Sequence, residues 1–150
     1  MAFPAVNKLK PVNVLVVEDN PDDSELTLFA IKKGNKNANV IHLRDGSEVL
    51  DFMTRTDKLE SVASNIKFIL LNLSIPKIDG LEILKKIREN EHTQFIPVII
   101  FSSSEEGRKI NQAYELGANS YVVKPARYEN YVDEVSLMSF YWSTINNTTT

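Results

Sequence analysis

The 150-residue chain contains no cysteine, which excludes disulfides, thiolate metal sites and a cysteine nucleophile. It also lacks any stretch close to the roughly 20 apolar residues needed to span a membrane. The opening MAFPAVNKLKP has no apolar run long enough for a signal peptide, so a cytoplasmic location is expected. A basic surplus is missing as well: 17 Lys and Arg stand against 20 Asp and Glu, for a net charge of −3 and a pI near 5.4. No local basic patch is visible, so nothing in the charge pattern attracts nucleic acid or an anionic membrane surface. What is present, 43% hydrophobic and 25% charged residues, is globular composition, and the length suffices for one core.

Strand-like and helix-like segments alternate from Val12 onward. VNVLVV (Val12 to Val17) is a near-continuous β-branched run, the pattern of a parallel strand covered on both faces. Pro21 and the carboxylates of EDNPDD mark a turn and a helix start. That helix, about Asp22 to Lys33, is expected to turn Leu26, Phe29 and Ala30 inward and to close at Gly34. A second strand is read at Asn39 to Leu43, then a short helix GSEVLDFM with Val49, Leu50 and Met53 on one face. Thr54 to Asn65 is polar and weakly patterned and reads as a long loop. Phe68 to Leu71 forms the third strand, and LEILKKIREN a helix with Leu81, Ile83, Leu84 and Ile87 inward. The strand Pro97 to Phe101, a helix from about Glu105 to Leu116, the strand Ser120 to Val123 and a last helix after Pro125 complete the series. Five strands and five helices in alternation predict a doubly wound α/β fold with a (βα)5 parallel sheet. The expected bounds are an N-terminal extension over 1–11, one domain over 12–145 and a frayed polar tail over 146–150. The sequons at Asn146 and Asn147 in that tail read as unglycosylated.

In such sheets ligands sit beyond the carboxyl ends of the strands. Those ends carry Glu18 and Asp19, Asn72, Ser102 and Lys124. Paired carboxylates facing a lysine and a hydroxyl suit a Mg²⁺-assisted phosphoryl site, because carboxylate oxygens hold the hard cation while the ammonium balances phosphoryl oxygens. Each residue alone has a plainer reading: Glu18 and Asp19 as a helix cap, Ser102 as a turn or N-cap residue opening SSSEE, Lys124 as a solvated lysine, Asn72 as a turn residue. Their placement at successive strand ends favours the chemical one. The Lys124-Pro125 bond is a candidate for the cis form.

VNVLVVEDNPDD, FILLNLSIPKIDG, PVIIFSSSEE and GANSYVVKP, in this order and spacing, resemble the receiver domain of bacterial two-component response regulators over about Val12 to Ser139. The resemblance implies a flavodoxin-like sheet of strand order 2-1-3-4-5. It places Asn72 at the phosphoacceptor position, with Ser102 thirty residues later (102 minus 72) and Lys124 twenty-two after that (124 minus 102). It implies that Glu18, Asp19, Asn72 and the backbone carbonyl of Ser74 hold Mg²⁺. Ser102 is implied as the hydroxyl that reports phosphorylation, Tyr121 as the aromatic switch and Lys124 as the phosphoryl partner. The segment Thr54 to Asn65 and the C-terminal YENYVDEVSLMSFYWSTINN are similar to those of small receivers that serve bacterial phytochrome-type kinases.

The departure is Asn72, where the family has aspartate. A neutral amide oxygen is a far poorer nucleophile than a carboxylate, so phosphotransfer is expected to be lost and Mg²⁺ affinity lowered. Asp79 reads as a turn residue rather than a substitute acceptor. The chain is therefore expected to be a binding module of a phosphorelay and not an enzyme, docking a histidine kinase or another phosphorelay protein. An ordinary receiver carrying an introduced Asp→Asn change at 72 is the alternative. A flavodoxin-like cofactor carrier is a further one, disfavoured because EDNPDD is acidic where a phosphate cradle wants glycine and backbone N–H groups. A hydrolase with Asp19 as nucleophile also competes. On the last helix, Tyr131, Val135, Met138, Trp142 and Ile145 form the stripe expected against the sheet. Leu137, Phe140 and Tyr141 lie off it and could form a homodimer surface rich in aromatic anchors.

Overall fold

Runs of four to six mostly apolar residues leave both faces of a strand unfit for water, and a sheet covered on both sides satisfies them. The computed structural model, which describes residues 11–149, has this arrangement. Strands β1 (Val12–Val17), β2 (Ala38–Leu43), β3 (Ile66–Leu71), β4 (Val98–Ser102) and β5 (Ser120–Val123) form one parallel sheet in the order β2-β1-β3-β4-β5. Helices α1 (Pro21–Gly34), α2 (Gly46–Thr54), α3 (Thr56–Ala63), α4 (Gly80–Glu89), α5 (Gly107–Glu115) and α6 (Tyr128–Phe140) flank it, and a π-helical turn over Tyr141–Ile145 extends α6.

The two-residue period of the strands divides the core. Leu15, Val17, Ile69, Leu71, Val98 and Ile100 pack with α2, α3, α4 and Ala113 of α5. Val14, Val16, Phe68, Leu70, Ile99 and Phe101 point the other way, onto Ala30 and Ile31 of α1 and Tyr131, Val132 and Val135 of α6. The register sets Val17 beside Leu71 and Ser102 beside Val123, so the strand ends that carry the polar residues lie next to one another.

Several expectations need correction. Thr54 to Asn65 is not a loop: α3 occupies most of it and buries Leu59 and Ala63 in the core. With Val62 packed beside them, three apolar residues at helical spacing seat a short helix in an otherwise polar stretch. The described residues thus contain six α-helices where the pattern suggested five. Helix α5 starts at Gly107, two residues later than read, and SSS belongs to the end of β4 and the loop after it. Ile145 is 53% exposed and drops out of the inward stripe of the last helix. The described residues contain no cis peptide bond, so Lys124-Pro125 is trans. Residues 1–10 of the proposed N-terminal extension, and Thr150, lie outside the described residues. In the proposed tail, Lys67 Nζ donates to Thr148 Oγ1 at 3.4 Å.

The inward face of α1 also differs from the reading. Phe29 is 57% exposed, while Ser24, Thr27, Ala30, Ile31 and Gly34 face inward. The reason is close approach. Ser136 and Ser139 of α6 donate to the carbonyls of Ala30 and Ile31 at 3.1 and 2.8 Å. A Cβ on Gly34 would stand 2.3 Å from the Ser136 carbonyl oxygen. Small residues and hydroxyls therefore form this seam, and apolar periodicity does not reveal it. At the far pole, Arg88 donates to the carbonyls of Gly117, Gln94 and Ile96 and to Asn119 Oδ1, tying α4 to the turns flanking β4.

Two glycine substitutions test this packing in opposite directions. Gly34→Ala forces a methyl into backbone and is expected to lower stability by about 1–3 kcal/mol. Gly107→Ala, whose methyl meets nothing within 4 Å, is expected to raise stability by about 0.5–1 kcal/mol through backbone entropy. Urea unfolding of both variants checks the pair, and a stabilised Gly34→Ala would refute the close seam.

Candidate functional site at the carboxyl rim of the sheet

Glu18 directly follows β1 and is 3% exposed, its backbone N–H continuing the ladder by donating to the Leu43 carbonyl. Asn72 directly follows β3 and is 8% exposed, with its N–H donating to the Val17 carbonyl. Lys124 follows β5, with its N–H on the Ser102 carbonyl at 2.8 Å. Sheet hydrogen bonds thus carry these side chains to one rim.

There they form a connected network. Lys124 Nζ donates to Glu18 Oε1 at 2.5 Å and to Asp23 Oδ2 at 2.8 Å. Asn72 Nδ2 donates to Glu18 Oε2 at 2.8 Å, an oxygen that also accepts the Asn20 N–H at 3.2 Å. The Asn72 Oδ1 turns to the Ser74 N–H at 3.2 Å and closes the bend after β3. Beneath the ammonium lies the Phe101 ring, its centroid 5.8 Å from Nζ, and Tyr131 meets that ring edge-on. Burial of Glu18 is tolerable because both of its oxygens accept charge-assisted or amide hydrogen bonds.

Other anticipated residues stand apart from this network. Asp19 is exposed and pairs with no other described residue. Ser102 is buried, and its hydroxyl accepts the Ser104 N–H at 3.2 Å. The Tyr121 hydroxyl donates to the Ser104 carbonyl at 2.8 Å, so it fastens the same loop from β5. The helix-cap reading of Glu18 and Asp19 does not hold, since Asn20 caps α1 by accepting from the Asp23 N–H; Ser102 is no N-cap, because α5 has no side-chain cap, but it is a turn residue whose hydroxyl accepts from the N–H two residues on. Asp79 does cap α4, accepting from the Leu81 N–H. On the last helix, Leu137 and Tyr141 are exposed at 40% and 45%, whereas Phe140 is half-buried.

Sequence reasoning missed Asp23, His42 and Thr27, and it read Tyr131 only as a core residue of the last helix, where it is indeed buried. Asp23 was absorbed into a helix start, although three residues after a cap is one turn up the helix and on the capped side. His42, at the end of β2, places Nε2 2.8 Å from the Glu18 carbonyl oxygen and 3.2 Å from the Ser24 hydroxyl. Tyr131 shares a 2.7 Å hydrogen bond with the Thr27 hydroxyl, and burial pushes its phenol well above the ordinary value. No sequence spacing joins residues 27 and 131; only the α1–α6 seam does.

Among the described residues no group of three or more His, Asp or Glu is arranged to hold a metal ion. Both Glu18 oxygens are occupied and the Asn72 oxygen faces a backbone N–H. In this arrangement the rim does not fit a cation.

A parallel five-stranded sheet of this order, with polar side chains gathered at its carboxyl rim, is the flavodoxin-like doubly wound class of domain. Residues 14–136 match the family described as "Response regulator receiver domain", and the chain belongs to that family. It is 30% identical to the response regulator Rcp1 of Synechocystis sp. over 132 residues, covering 88% of this chain and 89% of Rcp1. It superposes on the phosphorylated cyanobacterial phytochrome response regulator RcpA with a TM-score of 0.83 at 27% identity, covering 94% of this chain and all of that one. For the Mn²⁺-bound form of Rcp1 the TM-score is 0.81 at 27% identity, with 93% and 100% covered. The chain is thus a receiver domain of two-component signalling, similar to phytochrome-associated receivers.

The loop that carries Asn72 is fastened from below by Asp45, which caps α2, accepts from the Glu48 N–H and the Ser47 hydroxyl, and lies 3.4 Å from Lys77 Nζ. The Glu48 N–H, then Ser47 and Lys77, hold the Asp45 carboxyl down at about 2. Since the folded value is below the ordinary 3.8, the stabilisation is present above about pH 4 and is lost as pH falls towards 2. Asp45→Asn is expected to flatten the pH dependence of thermal unfolding in that window, and an unchanged slope would refute the cap's contribution.

Proposed function

We propose that this receiver does not accept a phosphoryl group and passes its signal by protein contact rather than by turnover. One observation carries the reading: at the acceptor position stands a neutral amide whose nitrogen donates into Glu18 and whose oxygen is held by the Ser74 N–H. Formation of an acyl phosphate needs an anionic carboxylate oxygen aimed at phosphorus. Asn72 supplies neither the charge nor the aim. Glu18, Asp19, Asn72 and the Ser74 carbonyl hold Mg²⁺ only weakly, because a cation must first displace Lys124 from Glu18, and Lys124, Ser102 and Tyr121 are retained as the phosphoryl partner, the hydroxyl and the aromatic of the family pattern.

The partner is a histidine kinase or another phosphorelay protein, and the location cytoplasmic. No described helix is long and apolar enough to cross a membrane. Contact is supported by the surface beside the rim, where Phe29 and Tyr128, 57% and 59% exposed, line a groove of about 400 Å³ with Leu26, Asp22 and Glu25. Exposed aromatics of this kind are the usual anchors of protein interfaces.

Incubation with acetyl phosphate and Mg²⁺ followed by intact mass tests the acceptor. No adduct is expected on this chain and one base-labile phosphoryl group on Asn72→Asp; equal adducts on both would overturn the reading. Self-association through the last helix is a separate expectation. Leu137→Glu with Tyr141→Glu, chosen because both side chains are exposed, is expected to halve the mass seen by light scattering, and an unchanged mass would remove that surface.

A further inference from the structure

The Lys124 ammonium is the best-coordinated cation of the rim, and it holds the oxygen that a metal ion would need. Its side chain is 11% exposed, that of Glu18 is 4% and that of Asp23 is 31%. It bridges two carboxylates from different elements, the end of β1 and the first turn of α1. The amide at position 72 offers it no negative charge, so the two acids that remain within reach take it up. Asp23 is itself held by the local fold: its N–H caps onto Asn20, and its carbonyl accepts from the Tyr131 hydroxyl at 3.3 Å.

We infer that Lys124 is the resident cation of this rim, that its pairing with Glu18 excludes a divalent metal, and that Asp23 is the positioning residue that keeps it there. This deepens the reading above, since it depends on the amide at 72. Its test uses no phosphodonor, so the two ideas fail separately. The physical basis is competition: one Glu18 oxygen cannot contact an ammonium and a metal ion at once, and two cations within a few ångströms of each other repel strongly in a poorly hydrated site. Asp23 tips that competition, because with two carboxylates to bridge the lysine gives up two contacts when it leaves.

Mn²⁺ titration of the chain, followed by paramagnetic broadening of the amide signals of residues 18–23 and 72–74, measures the competition. Lys124→Met keeps the aliphatic stem over Phe101 and is expected to bind Mn²⁺ at least about tenfold more tightly than the unaltered chain. Equal affinity would overturn the inference. Asp23→Asn is expected to tighten Mn²⁺ binding several-fold while Lys124 is present, and not to tighten it in the Lys124→Met background. Weakening in both backgrounds would show Asp23 to be a general negative charge and overturn its assigned role. Removal of a buried ammonium can unfold the chain, so the unaltered protein supplies a second measurement. Under acetic anhydride labelling read by peptide mass, Lys124 is expected to react slowest of the described lysines, and millimolar Mn²⁺ to speed its labelling several-fold. Labelling that is fast without metal, or indifferent to it, would overturn the inference.

Discussion

The rim depends on one ammonium shared between two carboxylates. Glu18 is nearly inaccessible to water, and a carboxylate in that position is tolerated only when its charge is met by a partner. Lys124 meets it, and Asn72 and the Asn20 N–H complete the set. Leaving one member of such a pair unpartnered costs about 3–5 kcal/mol. The pairing therefore constrains the sheet as well as the chemistry, since it requires β1, β3 and β5 to end at a common level and the first turn of α1 to sit over them.

How much of this was legible in the sequence depends on whether a feature is local. The strands are legible in their β-branched runs, β1 and β5 at both ends and β2, β3 and β4 to within one or two residues. The parallel architecture followed from their alternation with amphipathic segments such as Leu81 to Ile87. The rim residues Glu18, Asn72, Ser102 and Lys124 were found because strand ends can be located from the strands themselves. Asp23 and His42 escaped for the complementary reason: each sits next to a position that already had a sufficient local explanation, a helix start and a short strand. The α3 helix escapes because Leu59, Val62 and Ala63, though at helical spacing, are three apolar residues in an otherwise polar stretch.

The α1–α6 seam shows a more general limit. Hydrophobic patterning picks Phe29 as inward, yet close helix approach selects Ser136, Ser139, Thr27 and Gly34. Small residues allow short separation, and their hydroxyls find carbonyls on the facing helix; a large aromatic would hold the helices apart. This seam also carries Tyr131 to the underside of the rim, where its hydroxyl reaches Thr27 and the Asp23 carbonyl. Packing on one face of the sheet and charge placement at its edge are consequently one arrangement. The phosphoryl chemistry of the family and the loss proposed for Asn72 both act on a scaffold that this seam keeps in register.

Ser104 takes hydrogen bonds at both of its peptide groups, its N–H going to the Ser102 hydroxyl and its carbonyl receiving the Tyr121 hydroxyl. Two strands thereby grip a single residue of the segment that leads into α5. The two hydrogen bonds fall on adjacent peptide planes that meet at the Ser104 Cα, so the path of the chain between β4 and α5 is set by a hydroxyl from each of the two neighbouring strands.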